Sequence, residues 1–148
     1  MGWFDRLLLS MRAMALDYGS KALGIAISDE LRLTVRPLTT IRRRRQSRNQ
    51  IIAQLQQLSD EYEVTEIVVG LPVRMDGTMG EAAERVNAFI VELQKAISIP
   101  VIAQDERLTS HEADEMMRER GFDLHQRKEK SDEYAAAIIL REYLESHP

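Results

Sequence analysis

The chain has 148 residues, of which 44% are hydrophobic and 30% charged, with a net charge of −4. This is the composition of an ordinary globular domain, long enough to bury about 70% of its unfolded surface, and it excludes disordered, fibrous and membrane classes. With no cysteine, neither a disulfide framework nor a thiolate zinc site is possible. The charge is unevenly spread. Residues 1–50 hold ten Lys/Arg and four Asp/Glu, whereas residues 51–148 hold ten and twenty, which leaves room for a local basic patch facing an anionic ligand.

The opening "MGWFDRLLLSMRAM" has only a three-leucine apolar core, too short and wrongly flanked for a signal peptide or a membrane span. The expected compartment is the cytoplasm. Met11 and Met14 are alternative starts, so residues 1–11 read as an N-terminal extension of one domain spanning 1–148. From Arg12 to Asp17 and from Gly24 to Ser28 the residues are nearly all apolar, with the turn "YGSKALG" between them, and this reads as a β-hairpin. "TVRPLTTI" carries Pro37 and fits an edge strand.

The period then changes. Ile51, Leu55, Leu58 and Tyr62 fall at helical spacing, and "TEIVVGLP" is a short β-branched run of the kind buried on both faces of a sheet. Thr78–Glu81 fits a capping box before a long helix with Ala82, Val86, Phe89, Leu93 and Ile97 on one face. "IPVIAQDE" predicts a fifth strand, and Thr109–Glu112 a second capping box whose helix stops at Gly121. The Ala-rich "SDEYAAAIILREYLESH" closes the chain as a helix begun by Ser131. The order βββ-α-β-α-β-α-α predicts an α/β fold: a mixed five-stranded sheet, antiparallel strands first and parallel ones after, covered by helices on both faces.

Ligands of α/β sheets bind beyond the carboxyl ends of the strands. Asp17 ends the first strand, Asp105 and Glu106 end the fifth, and Asp132 with Glu133 opens the last helix. Carboxylates gathered from separate elements are costly without a cation, and such hard oxygen ligands suit Mg²⁺ or Mn²⁺. Taken singly, each acid has a plainer explanation: Asp17 as a turn residue, Asp105 as a surface partner of Arg107, Asp132 and Glu133 as first-turn acids favoured by the helix dipole.

"IRRRRQSRN" places Arg42, Arg43, Arg44, Arg45 and Arg48 within seven residues. Arginine forks phosphates bidentately, so the run suits either a nucleic-acid backbone grip or a solvated loop. "GLPVRMDGTMG", with Gly77 at its centre, offers backbone amides to a phosphate or forms only a turn and a cap. The histidines show no metal-ligand spacing. His111 reads as a surface residue and Met116 and Met117 as core.

The segments "LDYGSKALGIAISD", "IVVGLPVRMDGTMGEAAERVNAF", "PVIAQDERLTSHEA" and "RKEKSDEYAAAIILREYL" together resemble the YqgF family of bacterial proteins, described as Holliday junction resolvases or pre-16S ribosomal RNA nucleases. The likeness runs from about Met14 to Leu144. It implies a ribonuclease H-like fold and a metal-dependent nuclease of the cytoplasm, acting on pre-rRNA or branched DNA as a monomer or homodimer.

Carried over by position, the resemblance makes Asp17, Asp105, Glu106 and Asp132 the catalytic acids, with Asp17, Asp132 and one of Asp105 or Glu106, taken as Glu106, on the metal. The candidate nucleic-acid contacts beside these acids are Lys21, Arg42, Arg43, Arg44, Arg45, Arg48, Gly77, Arg107, Arg127 and Lys128. Ala22 stands where the family commonly has arginine, and "VVGLPV" lacks the fourth-strand acid of many nucleases of the wider fold. Two rival readings are a nucleic-acid-binding protein that cleaves little and a small-molecule phosphotransferase using "GLPVRMDG" as a phosphate loop.

Overall fold

The computed structural model describes residues 10–74, 76–106 and 109–148. The expected extension therefore falls largely outside the described residues, as does Arg107. Of that extension, Ser10 and Met11 join the fold: Ser10 Oγ donates to the Glu63 carbonyl at 2.7 Å, and the Met11 amide to that of Glu30 at 2.9 Å.

Five strands form one sheet in the order β3-β2-β1-β4-β5: β1 (Ala13–Tyr18), β2 (Ala22–Ser28), β3 (Val35–Arg42), β4 (Glu66–Pro72) and β5 (Val101–Glu106). β1 to β3 pair antiparallel, whereas β1 with β4 and β4 with β5 run parallel, as the sequence predicts. Pro37 sits on β3, a sheet edge, where its missing N–H costs no ladder bond. Among the described residues four helices are interleaved with the strands, one after β3, one after β4 and two after β5: α1 (Arg48–Glu61), α2 (Glu81–Ala96), α3 (Thr109–Glu119) and α4 (Leu124–Ser146).

The two sheet faces differ in side-chain size. Met14, Leu16, Leu23, Ile25, Ile27, Ile67 and Val69 face α1 and α2 and form the larger core with Leu55, Phe89 and Leu93. The opposite face carries Ala13, Ala15 and Ala26, which meet Ile139, Ala136 and Ala137 of α4. Small residues on both partners bring α4 close to the sheet. Because successive strand residues alternate faces, Asp17 falls on this α4 face.

Two predicted helix starts shift. α2 starts at Glu81 with Gly80 as its cap and no side-chain cap, because Thr78 Oγ1 instead donates to Asp76 Oδ1 at 2.7 Å. The expected cap at Thr109 involves side chains outside the described ones, but the stop at Gly121 holds. Gly121 has φ +81°, and the Gly121 and Phe122 amides close back on the Arg118 and Met117 carbonyls, a Schellman ending. α4 begins seven residues before Ser131, capped by Asp123 in a reciprocal pair with Gln126. Asp132 and Glu133 therefore lie in the helix interior, beyond the first turn where the dipole would favour them.

Candidate active site

β1 delivers Asp17 to the carboxyl end of the sheet, directly opposite Gly24 of β2. Gly24 has a steric reason to be glycine: a Cβ there would stand 1.9 Å from the Asp132 carbonyl oxygen. The α4 backbone thus rests on β2 at the residue paired with Asp17. The Asp132 carboxyl lies by the turn after Asp17, with Oδ1 3.9 Å from where a Gly19 Cβ would be.

Glu106 reaches the same place from β5. A Cβ on Gly70 of β4 would stand 2.7 Å from Glu106 Oε2 and 2.4 Å from Ile139 Cδ1. The carboxylate missing from β4 is thus matched by one that extends over β4 from its neighbour. Asp105, one residue earlier, points to the other face of the strand and is exposed. Of the four predicted acids, Asp17, Glu106 and Asp132 come together and Asp105 does not.

The electrostatics carry the mark of this gathering. Burial pushes the Asp17 carboxyl up to about 7 from an ordinary 3.8, and the charges of Glu106 and Asp132 push it the same way. Asp132 is raised by burial, opposed by the Arg42 charge and reinforced by Glu133. Among the described residues, no three His, Cys, Asp or Glu are arranged to hold a metal ion as they stand. The donor chemistry nonetheless fits a hard divalent cation: three carboxylates, crowded at a cost that a positive ion would relieve.

Two clefts meet at Asp17. One, of about 280 Å³, is lined by Asp17, Gly70, Glu106, Arg43, Arg48 and Arg85. The other, of about 240 Å³, holds Asp17, Asp132, Asp114, Arg127, Lys128 and Ser131. Basic side chains therefore rim the acids on both sides. Arg127 is partly committed, since its Nε lies 3.1 Å from Asp114 Oδ1 and its Nη1 donates to the Phe122 carbonyl at 2.9 Å. The Nε approach is an ion pair by distance only, because Nε itself completes no aligned hydrogen bond.

The arginine run divides by role. Lys21, Arg42, Arg43, Arg44 and Arg48 line a groove beside Tyr18 and Ser20. Arg43 is built into the fold, donating to the Gly19 carbonyl and to the Tyr18 hydroxyl at 2.7 Å. Its guanidinium lies 4.0 Å over the Tyr18 ring, which stacks on Phe89 at 4.1 Å. Arg43 thus braces the turn that follows Asp17. Arg48 pairs with Glu92 at 2.9 Å. Arg45 has a left-handed φ of 62° and with Arg44 is exposed.

Gly77 lines neither cleft. Its φ of +86° serves a turn in which its amide donates to the Arg74 carbonyl at 2.8 Å. The helix start behind it is faced by Arg74, whose Nε would be 2.9 Å from a Gly80 Cβ. His111 is exposed beside Glu115 at 3.1 Å, and Met117 is core, as predicted. Gly24 and Gly70 are the residues that sequence reasoning missed. Their signal was a lone glycine inside each apolar strand.

Comparison with known proteins agrees with this architecture. Residues 11–146 match the family model RuvX, described as Holliday junction resolvase. A relative from Lachnospira eligens named "Putative pre-16S rRNA nuclease" is 44% identical over 137 residues, 92% of this chain and 98% of the relative. One of the same name from Thermoanaerobacter pseudethanolicus is 43% identical, covering 92% and 97%.

Among solved structures, Thermus thermophilus RuvC in complex with a Holliday junction substrate superimposes with a TM-score of 0.57 at 19% identity, covering 93% of this chain and 96% of that one. The fowlpox virus Holliday junction resolvase gives 0.58 at 14%, covering 92% and 99%. These likenesses identify the fold as the RuvC-like, ribonuclease H-type sheet. With nearly its whole length matched by the family model and by close relatives, the chain belongs to the RuvX family, the YqgF group that its motifs resemble.

Proposed function

We propose that this protein hydrolyses phosphodiester bonds in structured nucleic acid, with Asp17, Glu106 and Asp132 holding a divalent cation, Mg²⁺ or Mn²⁺, and the 5′ end of pre-16S rRNA as its substrate. The observation that carries this reading is the gathering of carboxylates from β5 and α4 around Asp17 of β1, whose carboxyl is raised by burial and by the charges of Glu106 and Asp132. Gly70 leaves room for the Glu106 carboxyl and Gly24 for the α4 backbone that carries Asp132. The fold keeps a costly cluster of carboxylates, whose like charges a bound cation would relieve. A bound cation supplies charge for the attacked phosphate and a more acidic water.

The chain's own residues do the rest. Asp132 and Glu106 flank Asp17 from the two sides, and the basic rims position the phosphates that precede and follow the reacting one. Arg44 supplies a backbone contact in the groove, with Lys21 and Arg48 beside it, and the exposed Arg45 a contact next to it. Arg127 and Lys128 serve the opposite cleft. RNA is favoured over DNA junctions because the curated relatives above carry a pre-rRNA name. The junction-resolving reading stands second, on the family description. Such a substrate places the protein in the cytoplasm, and no described helix is long and apolar enough to cross a membrane.

The test is purified protein offered a precursor 16S rRNA fragment and a four-way DNA junction in parallel, with Mg²⁺, with Mn²⁺ and with a chelator. Metal-dependent cleavage of the RNA in preference to the junction is expected. Preference for the junction moves the assignment to the second reading, and binding of either without cleavage overturns the catalytic one.

A further inference from the structure

One member of the arginine run lies on the α4 face of the sheet, the face that carries Asp17. The strand registers show it: Asp17 lies opposite Gly24, Gly24 opposite Thr40, and Ala22 opposite Arg42. Directly paired residues share a face of the sheet, as do residues two apart on one strand. Asp17, Gly24, Thr40, Ala22 and Arg42 are therefore all on the α4 side. Thr40 bears this out by donating to Glu133 Oε2 at 3.0 Å. Arg42, two residues nearer the site end of β3, brings its charge to bear on Asp132.

Two further observations set Arg42 apart. Its partner on β2 is Ala22, and the next residue of β2 on that face is Gly24, on which the α4 backbone at Asp132 rests. Arg43 is committed to Tyr18 and Gly19 and Arg48 to Glu92, whereas Arg44 and Arg45 lie beyond the end of β3. The Arg42 side chain makes no hydrogen bond or ion pair among the described residues, and it is exposed at the head of the basic groove.

We propose that Arg42 contacts the reacting phosphate itself, forking its two non-bridging oxygens while the acids hold the other side. The inference rests on the nuclease reading and assigns to this arginine a role that its neighbours in the groove do not have. In the hydrolysis, water oxygen bonds to phosphorus, the bond from phosphorus to the leaving oxygen breaks, and that oxygen takes up a proton. Arg42 neither gives nor takes a proton. Its guanidinium stays charged throughout, and its two parallel N–H groups face the charge that grows on the non-bridging oxygens.

The experiment measures single-turnover cleavage and binding separately, on the precursor 16S rRNA fragment and the four-way DNA junction. The proteins are wild type, Arg42→Ala, Arg42→Lys and, as a control at the far end of β3, Arg36→Ala. Arg42→Ala is expected to lose ~10²-fold in rate at saturating substrate while its Kd rises only a few-fold. Added guanidinium ion at low millimolar concentration should restore part of that rate and leave wild type unchanged. Arg42→Lys should fall between, keeping the charge without the fork, and Arg36→Ala should match wild type. A wild-type saturating rate in Arg42→Ala, or a lost rate that guanidinium does not recover, overturns the proposal while leaving the nuclease reading intact. If the wild-type protein cleaves neither substrate, the nuclease reading fails first and this inference falls with it.

Discussion

The two ends of the sheet treat charge in opposite ways. At the end where β1 and β4 begin, charges are paired off: Arg12 with Glu30 at 3.3 Å and Arg32 with Glu66 at 3.2 Å. At the end where they finish, Asp17, Glu106 and Asp132 are crowded together, and basic residues are ranged along the rims without neutralising them. Pairing of the first kind contributes little, typically about 0–1 kcal/mol per exposed pair. Crowding of the second kind costs folding energy, and the packing of α4 against Gly24 and of Glu106 over Gly70 enforces it. Stability is managed at one end and set against function at the other.

The sharpest way to break this comparison is to remove one acid of each orientation on β5. Glu106→Gln should reduce cleavage by at least ~10²-fold, because it takes charge from the crowded point. Asp105→Asn, one residue away on the other face, should stay within a few-fold of wild type. Equal losses from both would dissolve the distinction between the faces. Next in size is Gly70→Ala. The new methyl must displace Ile139 or the Glu106 carboxyl, so unfolding should show a loss of roughly 1–3 kcal/mol, accompanied by weakened cleavage in the fraction that folds.

These two predictions mark where the sequence stopped being legible. The succession of strands and helices along the chain, the edge character of β3 and the acids themselves could be read from periodicity and punctuation, because each is a local property. Which of Asp105 and Glu106 turns inward could not, since β5 is an edge strand and its inner face is defined only by α4 lying across the sheet. The start of α4 was missed because its first two turns, "LHQRKEK", are almost wholly polar and carry no apolar period. Gly70 looked like strand punctuation, and its purpose depends on a glutamate 36 positions later. The arginine run showed its charge but not its commitments, because Tyr18 and Glu92 are far from it in the chain.

The smaller effects separate the arginines. Arg43→Ala should lower stability by about 1–2 kcal/mol, since its hydrogen bonds and its place over the Tyr18 ring go with it. The pair Arg44→Ala and Arg45→Ala should leave melting unchanged and reduce the salt slope of nucleic-acid binding by roughly 0.7–0.9 for each phosphate no longer neutralised. An unchanged slope returns these two to a solvated loop. At the opposite end, Arg32→Met should cost about 1–2 kcal/mol, since its half-buried pair with Glu66 and its bond to the Met11 carbonyl go with it, and leave cleavage untouched.

The central claim is that Asp17 is held, at a cost, for a cation, and one paired measurement on wild type and Asp17→Asn tests it. With its carboxyl raised to about 7 above its ordinary value near 4, Asp17 stays protonated in the folded metal-free protein where the unfolded chain has already ionised. Its contribution to stability is therefore fully present below about pH 4 and is lost as the pH rises through about 7, a change on the order of 4 kcal/mol. Melting in chelator from pH 4 to 8 should show this decline in wild type and a much flatter profile in Asp17→Asn, which keeps the size and removes the ionisation. Metal-dependent cleavage by the same variant should fall by at least ~10²-fold. A variant that melts with the wild-type pH profile and cleaves at the wild-type rate would contradict the account and leave Asp17 an ordinary residue at the end of a strand.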